Sequence, residues 1–253
     1  MVADSIIVLA PMAGITDAEF CMKLIPYGFD AVTLGGYNAD EETSRAGRLI
    51  AQRGRPEFDF DCSELKSIVE SEASLIKDSF EVLVSVNLRA LDPEPIMEIS
   101  SIGEVDIVEI NAHCRQPEIT SLGAGQAMLH DPEFLEDFTS EVVRGAHAEV
   151  SVKVRGNVPG VATADIAEML DDLGVSYIHL DAMKPGEDRA DLELVSEVSQ
   201  NLRNAVLIGN NSVRDPESAA AMLAAGADAV SVARAAISGR MDFNLREIRF
   251  NLD

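Results

Sequence analysis

Eight short runs of β-branched and aliphatic residues recur along the chain, and between successive runs there is room for a helix. They fall at Ile6–Ala10, Ala31–Leu34, Val82–Val86, Val105–Ile110, Val150–Val154, Tyr177–Leu180, Ala205–Ile208 and Ala229–Val232. Amphipathic stretches at Leu65–Lys77, Pro132–Gly145, Ala164–Leu173, Leu192–Leu202 and Pro216–Ala225 lie between them. Strands that alternate with helices predict a parallel sheet joined by helical crossovers. Eight such units in about 230 residues match the number and length of a closed (β/α)8 barrel, so the expectation is a single α/β TIM-barrel domain over residues 1–253. A doubly wound open sheet is the competing architecture, but no Gly-x-Gly-x-x-Gly follows the first strand.

In a barrel of parallel strands, chemistry is done at the C-terminal strand ends. The fourth run, Val105–Ile110, leads into Asn111-Ala112-His113-Cys114-Arg115-Gln116-Pro117, which sets an amide beside a thiol. Cysteine often simply fills space in a core. That reading suits Cys21, on an expected helix, and Cys62, just before one, better than Cys114 after a barrel strand. A thiol with an ordinary pKa of about 8.5 holds its proton at neutral pH and can act as a general acid. His113 and His179 leave a Cys–His pair open. In Val150-Ser151-Val152-Lys153-Val154-Arg155, alternation puts Lys153 and Arg155 on one side of the strand. An inward lysine needs an anion to meet it, and an outward one is the equal alternative. After the seventh and eighth runs, Gly209-Asn210 and Ala233-Arg234 fall where barrels commonly cradle a phosphate. The connections Gly35–Asp61 and Asn111–Asp131 are the long ones and are expected to carry function.

Charge sharpens the picture. The formal net charge is −24, yet ten of the twenty Lys and Arg residues (Arg45, Arg48, Arg53, Arg55, Arg89, Arg115, Arg155, Lys184, Arg189 and Arg234) map to that one rim. An acidic body repels phosphate backbones unless its cations are concentrated, so an anionic ligand at this face follows. Helix-surface ion pairs are the simpler account of Arg45 and Arg48. No run of 18 apolar residues offers a membrane span. Met1–Ser5 has no leader character. The three cysteines show no Cys-x-x-Cys or metal-ligand spacing. A cytoplasmic protein without membrane contact or metal is the expectation, and a homo-oligomer is compatible with it.

Together these pieces resemble the tRNA-dihydrouridine synthase family of FMN-dependent barrels. Leu9-Ala10-Pro11-Met12-Ala13-Gly14-Ile15-Thr16-Asp17 is close to that family's LAPMAGVTD, and Asn111-x-x-Cys114 stands in place of its Asn-Met-Gly-Cys-Pro. Gly123-Ala124-Gly125, Val152–Arg155, Ile208-Gly209-Asn210 and Gly226–Val230 follow in the family's order. The resemblance implies FMN as cofactor, with Pro11, Met12 and Ala13 along the flavin ring and Asn87 in place of a flavin-contacting Gln. It also implies Lys153 at the N1/O2 edge, His179 as a further contact, and Gly209, Asn210, Ala233 and Arg234 on the phosphate. Asn111 would orient a pyrimidine, and Cys114 would exchange the C5 proton while hydride moves at C6. NAD(P)H or another donor would supply electrons, and tRNA or a free pyrimidine would be the substrate. The chain departs from the family at Arg115-Gln116, inserted before Pro117, and at Asp181 in place of an arginine. Ala233-Arg234-Ala235 replaces Gly-Arg-Gly. The sequence ends about twenty residues past the eighth run, so a barrel-only, archaeal-type member without the tRNA-gripping helical domain is expected. A dihydroorotate-dehydrogenase-like enzyme on a free anionic substrate, and a non-redox phosphate-binding barrel, are the alternatives.

Overall fold

A closed ring of parallel strands is the frame of the molecule: β1 (Ile7–Leu9), β2 (Ala31–Asn38), β3 (Leu83–Arg89), β4 (Ile107–Ala112), β5 (Glu149–Arg155), β6 (Tyr177–Asp181), β7 (Val206–Asn210) and β8 (Ala229–Val232). Each strand pairs with its neighbour, and β8 closes on β1 through Ile7↔Val230 to Leu9↔Val232. The computed structural model describes residues 6–245. The expected span 1–253 and the N-terminal segment Met1–Ser5 therefore extend outside the described residues.

Helices α1 (Ala18–Leu24), α2 (Glu41–Gln52), α3 (Leu65–Lys77), α4 (Glu94–Ser100), α5 (Pro117–Thr120), α6 (Pro132–Gly145), α7 (Thr163–Asp172), α8 (Leu192–Asn201) and α9 (Pro216–Ala224) lie between the strands. Their starts are written in the sequence. Asp17, Asp40, Asp131, Asp191 and Asp215 each accept a backbone N–H of the first turn of α1, α2, α6, α8 and α9. Among the described residues no helix is long and apolar enough to cross a membrane.

The two faces of the strands explain where the site can be. Outward residues such as Val84, Val86, Leu88, Val108, Ile110, Val152, Val154, Ile178 and Leu180 pack under the helices in one large core. Inward residues change character along the strands. Near the N-terminal ends Val8, Ala31, Ile208 and Ala229 form a small apolar plug. Towards the C-terminal ends the inward positions become Asn87, Glu109, Asn111, Ser151, Lys153, His179, Asn210 and Ser231, all buried. Register stacks them in layers, with Asn87, Glu109 and Ser151 level with one another and Asn111, Lys153 and His179 one step higher.

Two expectations change and one open alternative is decided. Gly35–Asp61 is not a long loop, because β2 runs on to Asn38 and α2 follows, leaving about ten residues of connection. Asn111 belongs to β4, not to the loop after it. Lys153 points into the barrel, since Val152 and Val154 occupy the outer core.

Candidate active site

The loop after β4 hangs on Asn111. The backbone N–H groups of His113 and Cys114 donate to Asn111 Oδ1 at 3.1 and 2.8 Å, which turns the chain sharply and lifts the Cys114 thiol over the barrel mouth. Asn111 Nδ2 donates to Asn87 Oδ1 (2.8 Å), and Asn87 Nδ2 donates to Glu109 Oε1 (2.8 Å). The amide that would orient a ring is thus itself locked from below. Gly36 lies against this pair. A Cβ there would approach Asn87 Oδ1 to 2.6 Å and Asn111 Nδ2 to 3.4 Å, so glycine leaves the amide pair its room.

Lys153 sits deeper, its Nζ 3.0 Å from His179 Nε2. Burial lowers its pKa to about 8, with Glu109 and Asp181 opposing that shift. Burial would raise the carboxyl of Glu109, but His179 and Lys153 outweigh it and hold the group at about 2. An ammonium left unpaired at this depth would cost several kcal/mol, and the Glu109 charge is what makes Lys153 tolerable.

Two clefts open above these groups and share Pro11, His113, Lys153, Ala233 and Arg234 on their walls. The larger, about 440 Å³, is also bounded by Met12, Ala13, Gly36, Asn111, Cys114 and Arg115. The smaller, about 180 Å³, lies over the ends of β7 and β8 beside Asn210, Asn211, Ser212 and Arg214. There Asn211 and Ser212 adopt left-handed backbone (φ 97° and 54°). The chain thus turns sharply at the end of β7, where exposed backbone N–H groups can serve an anion. The N–H groups of Asn211, Ser212, Val213, Ala233 and Arg234 have no acceptor among the described residues. With Arg234 and Arg214 alongside, both also paired with Asp188, this donor set fits a phosphate dianion.

Most expected residues converge on these clefts: Pro11, Met12, Ala13, Asn87, Asn111, Cys114, Lys153, Asn210, Ala233 and Arg234 line them. Two lie apart. His179 is wholly buried beneath Lys153, its ring nitrogens facing Glu109 and Ser231. Gly209 faces α9, where a Cβ would meet Met222 Cγ at 2.4 Å; it admits the helix and does not line the smaller cleft.

Other neighbours named in the sequence gain their partners only in the fold. His113 Nε2 lies 2.6 Å from Asp181 Oδ2 and 2.7 Å from Arg155 Nη2. Arg155 also donates from Nε to the His113 carbonyl (3.2 Å). Burial first, then Arg155 and Lys153, bring the His113 pKa down to about 4 against the pull of Asp181. Arg89 is buried, ion-paired with Glu57, and its Nη1 stands 3.8 Å from Cys114 Sγ. Glu109 did carry a signal: a carboxylate inside an apolar strand, two residues before Asn111.

A family model described as dihydrouridine synthase matches residues 64–241. An uncharacterised protein of Methanocaldococcus jannaschii is 36% identical over 95% of this chain and 92% of its own length. The tRNA-dihydrouridine synthase B of Escherichia coli is 27% identical over 98% of this chain and 72% of its own length. A probable tRNA-dihydrouridine synthase of Helicobacter pylori is 25% identical, covering 90% of this chain and 66% of its own. A solved tryptophan synthase complex from Pyrococcus furiosus contains a chain that superposes with a TM-score of 0.58 at 16% identity, over 94% of this chain and 90% of that one. That last likeness reports the barrel alone.

Proposed function

This chain belongs to the dihydrouridine synthase family of flavin-dependent oxidoreductases, and on that premise we propose that it binds FMN across the two joined clefts and acts on the C5=C6 bond of uridine in tRNA. The observation that carries the reading is the convergence of Cys114, Asn111 and Lys153 on one cleft that joins a second, where the N–H groups of Asn211–Val213, Ala233 and Arg234 have no acceptor among the described residues. When bound, the flavin supplies the hydride chemistry at C6, with NAD(P)H as the expected source of electrons.

The chain's own residues supply the rest. Asn210, Ala233, Arg234 and the Asn211–Val213 amides hold the phosphate. Pro11, Met12 and Ala13 flank the ring, and Lys153 places a positive charge at its pyrimidine edge. His179 acts from below, through Lys153. Asn111 keeps one Nδ2 hydrogen for a carbonyl. Cys114 gives the proton to C5 in the reducing direction and takes it in the reverse, and the charge left on sulfur then faces the Arg89 guanidinium. Arg55 and Arg115 stand at the cleft mouth, exposed and without a carboxylate partner among the described residues, where phosphates flanking a target nucleotide would pass.

The same arginines favour a second reading, a free pyrimidine bearing its own anionic group. Purified protein carrying flavin absorbance, whose Cys114→Ala form keeps FMN and loses about a hundredfold or more in turnover, is the expected result. A colourless protein that takes up no FMN, or a Cys114→Ala variant of full activity, would refute the corresponding part. Turnover with tRNA transcript but not with free uridine or orotate selects the first reading over the second.

A further inference from the structure

Inside the barrel, below the clefts, one carboxylate joins three strands. Glu109 on β4 accepts Asn87 Nδ2 on Oε1 (2.8 Å), and on Oε2 it meets Ser151 Oγ (3.0 Å) and His179 Nδ1 (2.7 Å). All of these groups are buried, so no solvent competes for the bonds. An ionised carboxylate only accepts, which means the hydrogen between Glu109 and His179 belongs to Nδ1. The neutral ring then carries a lone pair on Nε2. Ser231 Oγ waits there as donor at 2.7 Å, while the Lys153 ammonium, 3.0 Å from Nε2 and 3.5 Å from Nδ1, lies against the ring face. Ser231 in turn accepts Asn210 Nδ2 on Oγ (2.7 Å), which frees its own hydrogen for the imidazole. Every polar atom in the chain has its role decided once the proton position on His179 is decided.

The opposite tautomer would break the chain in two places. A hydrogen on Nε2 would meet the hydrogen that Ser231 Oγ now donates, while the bare Nδ1 would set its lone pair against the Glu109 carboxylate. We propose that Glu109 is a positioning residue that holds His179 as the Nδ1–H tautomer and thereby keeps a neutral ring face under the Lys153 ammonium at the floor of the cleft. Burial and the facing Lys153 lower the His179 pKa, which agrees with a neutral ring. The tautomer is a property of the chain alone. Only its consequence, a lysine held for the flavin, rests on the FMN reading.

Histidine-selective 15N labelling of the full-length chain tests this, with His179 assigned by comparison with His179→Asn. The wild-type spectrum without cofactor is expected to show His179 protonated on Nδ1 and bare on Nε2. Glu109→Gln, the same shape without the charge, is expected to shift His179 to the Nε2–H form or a mixture and to weaken FMN about tenfold, or 1.4 kcal/mol. Ser151→Ala, which removes a neighbour of the carboxylate and leaves its charge, is expected to keep the tautomer. A wild-type His179 protonated on Nε2 overturns the proposal, and so does an unchanged tautomer in Glu109→Gln. Should that variant not fold, the wild-type spectrum decides alone. If no form binds FMN, the functional reading fails while the tautomer is still read in the unliganded protein.

Discussion

At the scale of single residues, the site depends on charges held out of water, each compensated by a named partner. The Arg89–Glu57 pair shows what that entails. Both side chains are buried, at 1% and 4% exposure, and the pair stands beside Cys114. Removing one member leaves the other as an uncompensated buried charge, which costs about 3 kcal/mol or more, whereas replacing both by apolar groups is often close to neutral. Glu57→Ala is therefore expected to lower stability by about 3 kcal/mol and Tm by roughly 9 °C. The double variant Glu57→Leu/Arg89→Met should recover most of that loss in thermal unfolding; an additive loss would show that packing, not charge, is what the pair provides. His113 gives a pH signature. Its folded pKa of about 4 lies below the ordinary 6.5, so between those values the unfolded chain binds the extra proton. Its contribution is complete above pH 6.5 and is lost as pH falls towards 4, and His179 acts with the same sign. Urea midpoints measured over that window should fall less steeply with acid in His113→Phe than in wild type.

At the scale of elements, the β1–α1 connection shows how loops complete the site. Gly14 has φ +71°, and a Cβ there would lie 2.4 Å from Glu57 N and 2.6 Å from Pro56 C. Both the backbone conformation and the space demand glycine, so the Pro11–Ala13 wall is held where it is by contact with the segment that carries Glu57. Gly14→Ala is expected to cost about 2 kcal/mol and to weaken FMN binding while the barrel itself persists. Circular dichroism of native type with flavin fluorescence no longer quenched would be the measured outcome; unaltered binding would mean that this docking is not needed. How much of this was legible in the sequence follows from what kind of signal each part leaves. The strands were legible because inward and outward faces are both mostly apolar in the lower barrel, α3 because of its apolar periodicity, and α6 because aspartate and proline mark its start. Asn111, Cys114 and Lys153 were legible because polar residues at the ends of apolar runs are conspicuous. The pairings of His113 with Asp181 and of Glu57 with Arg89 were not, because they join residues 68 and 32 apart. Gly209 looked like a phosphate glycine by position, and only the packing of α9 shows what it accommodates.

At the scale of the whole molecule, one chain combines a net charge of −24 with a cation-lined mouth. The two features respond to salt in opposite directions. Excess surface carboxylates repel one another, and that repulsion is long-ranged when the Debye length is about 30 Å at 0.01 M salt and short-ranged at about 8 Å near 0.15 M. Raising salt across that range should therefore raise Tm. Binding of tRNA depends instead on the few unpaired cations at the cleft, chiefly Arg55 and Arg115, and on the release of ions from RNA phosphates. Added salt should weaken it, with a slope of log K against log salt of only about −2 to −3, shallow because most rim arginines are already engaged by carboxylates such as Glu118, Asp181 and Asp188. Arg55→Ala and Arg115→Ala should each reduce the slope by about 1, while Arg45→Ala, whose residue pairs with Glu41 on an exposed helix turn, should leave it unchanged. A steep slope that survives both cleft substitutions would place the RNA elsewhere on the molecule. The absence of any salt-sensitive RNA binding, with turnover on a free anionic pyrimidine, would assign those two arginines to a small substrate and leave the barrel chemistry as it stands.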